Sequence, residues 1–257
     1  DGIKDQVQVT PLEQNKIWKL IRSLSNEDAE EVVLRVQGVL SQKSLPPISQ
    51  PFNIEPKQRH FMRQSVTLTG LGSTLFSQAI QNAQDIHQIF SRIFPQGALE
   101  DWNSALFEGH PAIDMNNRFF TLRKQAITDE ILPFSNKVDP HGILAAAMGV
   151  DDQFVHTTEN EVEYYELIND PDQEIKYQQI NPIKFRCGDI VEAQLSFICI
   201  KMKNERYRML TVLRAITILD TSSLRTVRQV SLKRKVGYAT DEVVEARDRL
   251  SRMKLKD

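Results

Sequence analysis

Apolar positions return along this chain at two different intervals. In the first half the step is three or four residues. Leu12, Ile17, Leu20, Ile21 and Leu24, with Pro11 ahead of them, predict a helix carrying proline in its first turn. Ser25 and Asp28 resemble a cap before a second helix through Val32, Val33, Val36, Val39 and Leu40, and the two together read as an αα-hairpin. The stretch 44–56 holds Pro46, Pro47, Pro51 and Pro56 and reads as an extended connector. A longer helix is predicted between Leu71 and Phe94, where Leu75, Ala79, Ile80, Ala83, Ile86, Ile89, Phe90 and Ile93 line one stripe until Pro95. Shorter helical pieces follow at 99–107, 119–132 and 139–149, the last ending on Gly149. Residues 1–150 therefore read as a mainly helical region.

From 151 onward the interval becomes two. Val191, Ala193, Leu195, Phe197 and Cys199 alternate with Glu192, Gln194 and Ser196, the pattern of a half-buried strand. Tyr207 to Leu219 is apolar on both faces, as a central strand would be, and Lys203 to Arg206 supplies the turn between the two. Strands are also expected at 162–168, 174–180 and 222–232, and a charged helix at 241–254. The fold expected is α+β: a helical N-terminal part, then a small antiparallel β barrel or sandwich spanning 151–257 and closing on a C-terminal helix. An oligonucleotide-binding (OB-like) barrel is one candidate.

Three phrases, HTTENEVEYYEL (His156 to Leu167), FRCGDIVEAQLSF (Phe185 to Phe197) and MLTVLRAITILD (Met209 to Asp220), carry a resemblance. The stretch from about Asp139 to Asp220 resembles a family of uncharacterised proteins numerous in mushroom-forming fungi. The resemblance implies one module and brings no activity, cofactor or catalytic residue.

Charge adds a division that composition hides. The 257 residues are 40% hydrophobic and 26% charged with a net charge of −2, ordinary globular values that exclude wholesale disorder and a globally basic nucleic-acid binder. Within Asp151 to Lys176, nine acids face one base, a local balance of −8; from Ile183 to Lys235, twelve bases face four acids, a balance of +8. The basic cluster is the candidate binding rim: Lys201, Lys203, Arg206, Tyr207 and Arg208 at the hairpin turn, with Arg225, Arg228, Lys233, Arg234 and Lys235 beyond the second strand. Such cations neutralise a phosphate backbone without any sequence motif, and Tyr207 would offer a stacking surface. They equally protect a strand edge, or pair with the acidic segment within the module or between copies.

Motifs for chemistry are sparse. Cys187 and Cys199 form no CxxC or Cys/His cluster and read as core thiols in a reducing compartment, and the five histidines are scattered, so no metal is expected. Thr69-Gly70-Leu71-Gly72-Ser73-Thr74 lacks the Gly-Lys-Ser/Thr ending of a phosphate loop and reads as a turn and helix cap. Glu161 and Glu163 share a face if their stretch is a strand, a paired-carboxylate arrangement whose plainer reading is a solvated edge. No Gly-x-Ser-x-Gly elbow is present. No apolar run reaches the roughly 20 residues of a membrane span, and no Asn-x-Ser/Thr sequon occurs, which favours cytoplasm or nucleus. The chain starts Asp1-Gly2-Ile3 without Met, which leaves room for a longer parent protein. These observations favour a non-catalytic binding module without cofactor, acting on a protein partner or by self-association. DNA or RNA binding is the alternative, and an enzyme the third reading.

Overall fold

The computed structural model describes residues 7–12, 16–23, 29–48, 56–127, 129–149, 153–168 and 176–220. All of them belong to one compact unit, residues 1–221. The strands are β1 (Val7–Leu12), β2 (Ile17–Ser23), β3 (Ala29–Glu31), β4 (Val33–Ser44), β5 (Arg63–Thr69), β6 (Ala105–Phe107), β7 (His110–Arg118), β8 (Thr121–Leu122), β9 (Phe154–Val155), β10 (Glu163–Ile168), β11 (Lys176–Gln179), β12 (Ile190–Lys201) and β13 (Tyr207–Asp220). The α-helices are α1 (Pro56–Arg59), α2 (Thr74–Ser91) and α3 (Ile143–Gly149).

The structure overturns the expected fold. The predicted αα-hairpin is β2 and β4, and the piece at 99–107 holds strand β6. Instead of a helical half followed by a small β module, eleven strands from both sides of residue 150 form one large mixed sheet. The physical reason lies in burial on two faces. Trp18 and Leu20 of β2 point to the core while Ile17 and Lys19 point to a cavity on the other side, so apolar residues sit on both faces and mimic a helical stripe. In β4 the residues Leu34, Val36 and Leu40 pack inward at a period of two, and the valine-rich run suits a pleated strand.

The pairing closes on itself at the centre. β12 pairs antiparallel with β4, β4 with β5, and β5 with β7; β7 then meets β13 in parallel, and β13 returns to β12. The weak point of this ring is the β7–β13 seam, where only Val212 and Asn116 are in register. Asn117 latches it. Its buried amide donates to the carbonyl of Leu213 at 3.2 Å and to that of Glu159 at 2.9 Å, satisfying backbone acceptors that a continuous ladder would have used.

Helix α2 covers one opening of the ring through Phe76, Ile80, Ala83, Ile86 and Phe90, all buried. It matches the predicted long helix, trimmed at both ends. Two glycines let it approach. A Cβ on Gly70 would lie 2.2 Å from Cβ of Phe76, and one on Gly38 would lie 3.0 Å from the Phe76 ring, so both positions need hydrogen where the helix lands. The Thr69 to Thr74 stretch is thus a packing turn, and the Ser73 side chain makes no capping hydrogen bond. A second, smaller core gathers Phe119, Phe120, Leu144, Ala147 and Phe154 beneath α3. The strands predicted at 162–168 and 174–180 appear as β10 and β11, with β10 running parallel to β13. The strand expected at 222–232 and the helix at 241–254 lie outside the described residues.

Candidate functional site

The long hairpin of β12 and β13 is apolar on both faces. Leu195, Phe197, Cys199, Met209 and Leu213 turn into the ring. Ile198, Ile200, Leu210 and Val212 turn outward and form the floor of a cavity of about 540 Å³. Leu12 and Ile17 from β1 and β2 complete its apolar side, and Asn116, Asn117 and Arg118 from β7 with Thr121, Gln125 and Asp129 form a polar wall. This volume falls in the range of roughly 300–1,000 Å³ typical of small-molecule sites.

A β-bulge sets the charged end. The register of the hairpin slips between Gln194, opposite Ala215, and Leu195, opposite Leu213, leaving Arg214 as the extra residue. Bulges re-aim a side chain. Here the Arg214 guanidinium turns into the cavity wall, where Nε donates to Ser196 Oγ at 3.0 Å, Nη1 to the Glu159 carbonyl at 2.9 Å, and Nη2 to Glu31 Oε1 at 2.7 Å and Glu159 Oε2 at 3.0 Å. Lys19 Nζ donates to Glu159 Oε1 at 2.7 Å and sits 3.7 Å from Glu31. Two cations and two carboxylates from four separate elements thus neutralise one another.

The same network separates the cavity's acids. Burial pushes the Glu159 carboxyl up, but Arg214 and Lys19 more than offset it and leave the group below the usual carboxylate range. Asp129 moves the other way: partial burial and the Glu159 charge raise it, against a smaller opposing pull from Lys19. Arg118 stands across the β5–β7 ladder from Arg63. Burial and the Arg63 charge lower the Arg118 guanidinium, and burial with both arginines lowers His60.

The predicted binding rim is assembled differently. Lys201 pairs with Glu205 at 2.5 Å, and Arg208 and Arg206 reach Glu100 at 2.6 and 3.8 Å. Tyr207 stacks on Phe94 with ring centroids 4.0 Å apart and meets Trp18 edge-on, so its ring packs against the core rather than standing free. Its backbone binds Ala98 and Glu100, pinning the hairpin. Lys203 is exposed at the turn. Arg225, Arg228, Lys233, Arg234 and Lys235 lie outside the described residues. Across the charge-divided halves, Glu166 pairs with Lys184 at 3.1 Å and Glu159 with Arg214, so part of the acidic segment meets the basic one. Glu161 and Glu163 are exposed. Of the cysteines, Cys199 is fully buried, which raises its thiol pKa, whereas Cys187 is exposed, against the expectation of a core thiol. Among the described residues no group of three His, Cys, Asp or Glu is placed to hold a metal ion.

Sequence reasoning missed Lys19, Arg118, Asp129 and Arg214 as site residues. They come from three distant stretches, and only Lys19 and Arg214 carried a local signal, a cation inside an otherwise apolar run. No family model and no curated protein sequence matches this chain. No helix among the described residues is long and apolar enough to cross a membrane.

Proposed function

We propose that this protein is a binding module for a small organic molecule, held in the cavity outside the β12–β13 hairpin. The observation that carries the reading is the composition of that cavity. An aliphatic floor of Ile198, Ile200, Leu210 and Val212 faces a wall of fixed polar groups, within about 540 Å³. An apolar floor supplies affinity through area removed from water, and a few oriented polar groups supply selectivity. The ion pairs around Arg214 favour binding over catalysis, because Glu159, Glu31 and Lys19 are already engaged with one another and serve to hold the wall. The rim cations favour nucleic acid less, since Arg206, Arg208 and Lys201 have carboxylates beside them.

The test is a fluorescence titration with the uncharged dye N-phenyl-1-naphthylamine. The expected result is saturable one-to-one binding with a blue shift, lost in Leu210→Trp, whose indole fills the floor. Ile198→Trp serves as a second variant, and circular dichroism verifies that each is folded. Absence of saturable binding, or equal binding by folded variants that fill the floor, overturns the reading.

A further inference from the structure

Resting on that reading, we infer that the ligand is an organic acid: an apolar body on the β12–β13 floor with an anionic head against Arg118. Three observations converge on this end of the cavity.

Arg118 lines the cavity, and its guanidinium has no ion pair or side-chain hydrogen bond among the described residues. The other cations of the lining, Lys19 and Arg214, are both neutralised by Glu31 and Glu159. A partly buried charge left without a partner is costly, and a fold that keeps one leaves a place for a counter-charge.

The surroundings of Arg118 also repel rather than compensate. Arg63 is directly opposite on the neighbouring strand, and like charges in that position destabilise a sheet. His60 lies in the field of both arginines. Among the described residues no carboxylate contributes to the electrostatics of Arg118; the acids of the cavity, Asp129 and Glu159, act on each other and on Lys19. The cavity therefore has a self-neutralised network at Arg214 and, among the described residues, an uncompensated cation at Arg118.

The sheet fixes the geometry. β7 runs parallel to β13 with Asn116 opposite Val212, which puts Arg118 past the floor residues Leu210 and Val212, on the side toward Arg214. A guanidinium there offers a planar fork of N–H donors suited to a carboxylate or sulfonate.

Two dyes that share a body isolate this head group: 1-anilino-8-naphthalenesulfonate carries the anion, and N-phenyl-1-naphthylamine does not. The wild-type chain is expected to prefer the sulfonate dye by about ten-fold, the scale of one charge-assisted hydrogen bond, and to lose that preference as salt is raised. Arg118→Gln should weaken the sulfonate dye about ten-fold more than the neutral one and so abolish the preference, and Arg118→Lys should restore part of it. Equal affinities of the wild type for both dyes, or an Arg118→Gln variant that weakens both alike, overturn the inference and leave the cavity reading standing. If the neutral dye itself fails to bind, it is the cavity reading that falls.

Discussion

The two faces of the β12–β13 hairpin are built from the same kinds of residue and do different things. Inside the ring, Leu195 and Leu213 are 1% and 0% exposed, part of the main hydrophobic core. Outside it, Ile198, Ile200 and Leu210 are only partly covered, because what faces them is a polar wall standing off across open space. An aliphatic strand face is thus core or binding floor according to what covers it. The difference is energetic as well: close-packed atoms lose both transfer energy and packing when deleted, whereas atoms already facing a cavity lose less.

The sharpest way to break this comparison is to truncate one leucine on each face. Leu213→Ala is expected to cost about 3–5 kcal/mol in urea unfolding, as deletion in a packed core does. Leu210→Ala, four residues before the bulge on the other face, should cost less than about 1.5 kcal/mol, because its side chain borders space that already exists. Equal losses would mean that the outer face is packed as tightly as the inner one.

Arg214→Met probes the charged end next. Removing the guanidinium leaves Glu31 and Glu159 sharing Lys19 alone, and losing one partner of a buried pair costs about 3–5 kcal/mol. Because the Glu159 side chain is 41% exposed, solvent screens part of that loss, and about 2–3 kcal/mol is expected. Chemical denaturation measures it; a neutral result would show the network to be surface decoration.

The smallest effect concerns the second core. The buried His156 ring donates from Nδ1 to the Phe119 carbonyl at 2.9 Å and stacks on Phe134 at 4.1 Å. Burial lowers its pKa, with the Phe119 bond acting in the opposite sense. Below the unfolded value of about 6.5 the unfolded chain therefore binds a proton that the folded chain resists, so stability is intact above that pH and falls as the solution is acidified through the lower folded value. His156→Phe should flatten the fall between pH 7.5 and 5.5 without removing it, because His60 shifts in the same direction. An unchanged slope would place the titration elsewhere.

Parts of this molecule were legible beforehand. The β12–β13 hairpin and α2 follow from periods of two and 3.6 that stand clear of competing signals. β2 and β4 did not, because in β2 Trp18 and Leu20 face the core while Ile17 faces the cavity, and the spacing of these residues imitates a helix. The rim cations were visible as a cluster, but Glu100, about 100 positions away, was not visible as their partner.

Sequence by itself determined the alternation of β12 and β13, the helical stripe of α2, and the opposed charges of the two C-terminal segments, because each is a property of neighbours a few residues apart. Tertiary structure alone decided that Arg214 is the bulged residue aimed into a cavity, that Lys19, Glu31 and Glu159 meet it there, and that Arg118 faces the same space without a partner among the described residues. Those facts depend on strands drawn from both ends of the chain closing side by side, and local pattern carries no record of which strand becomes whose neighbour.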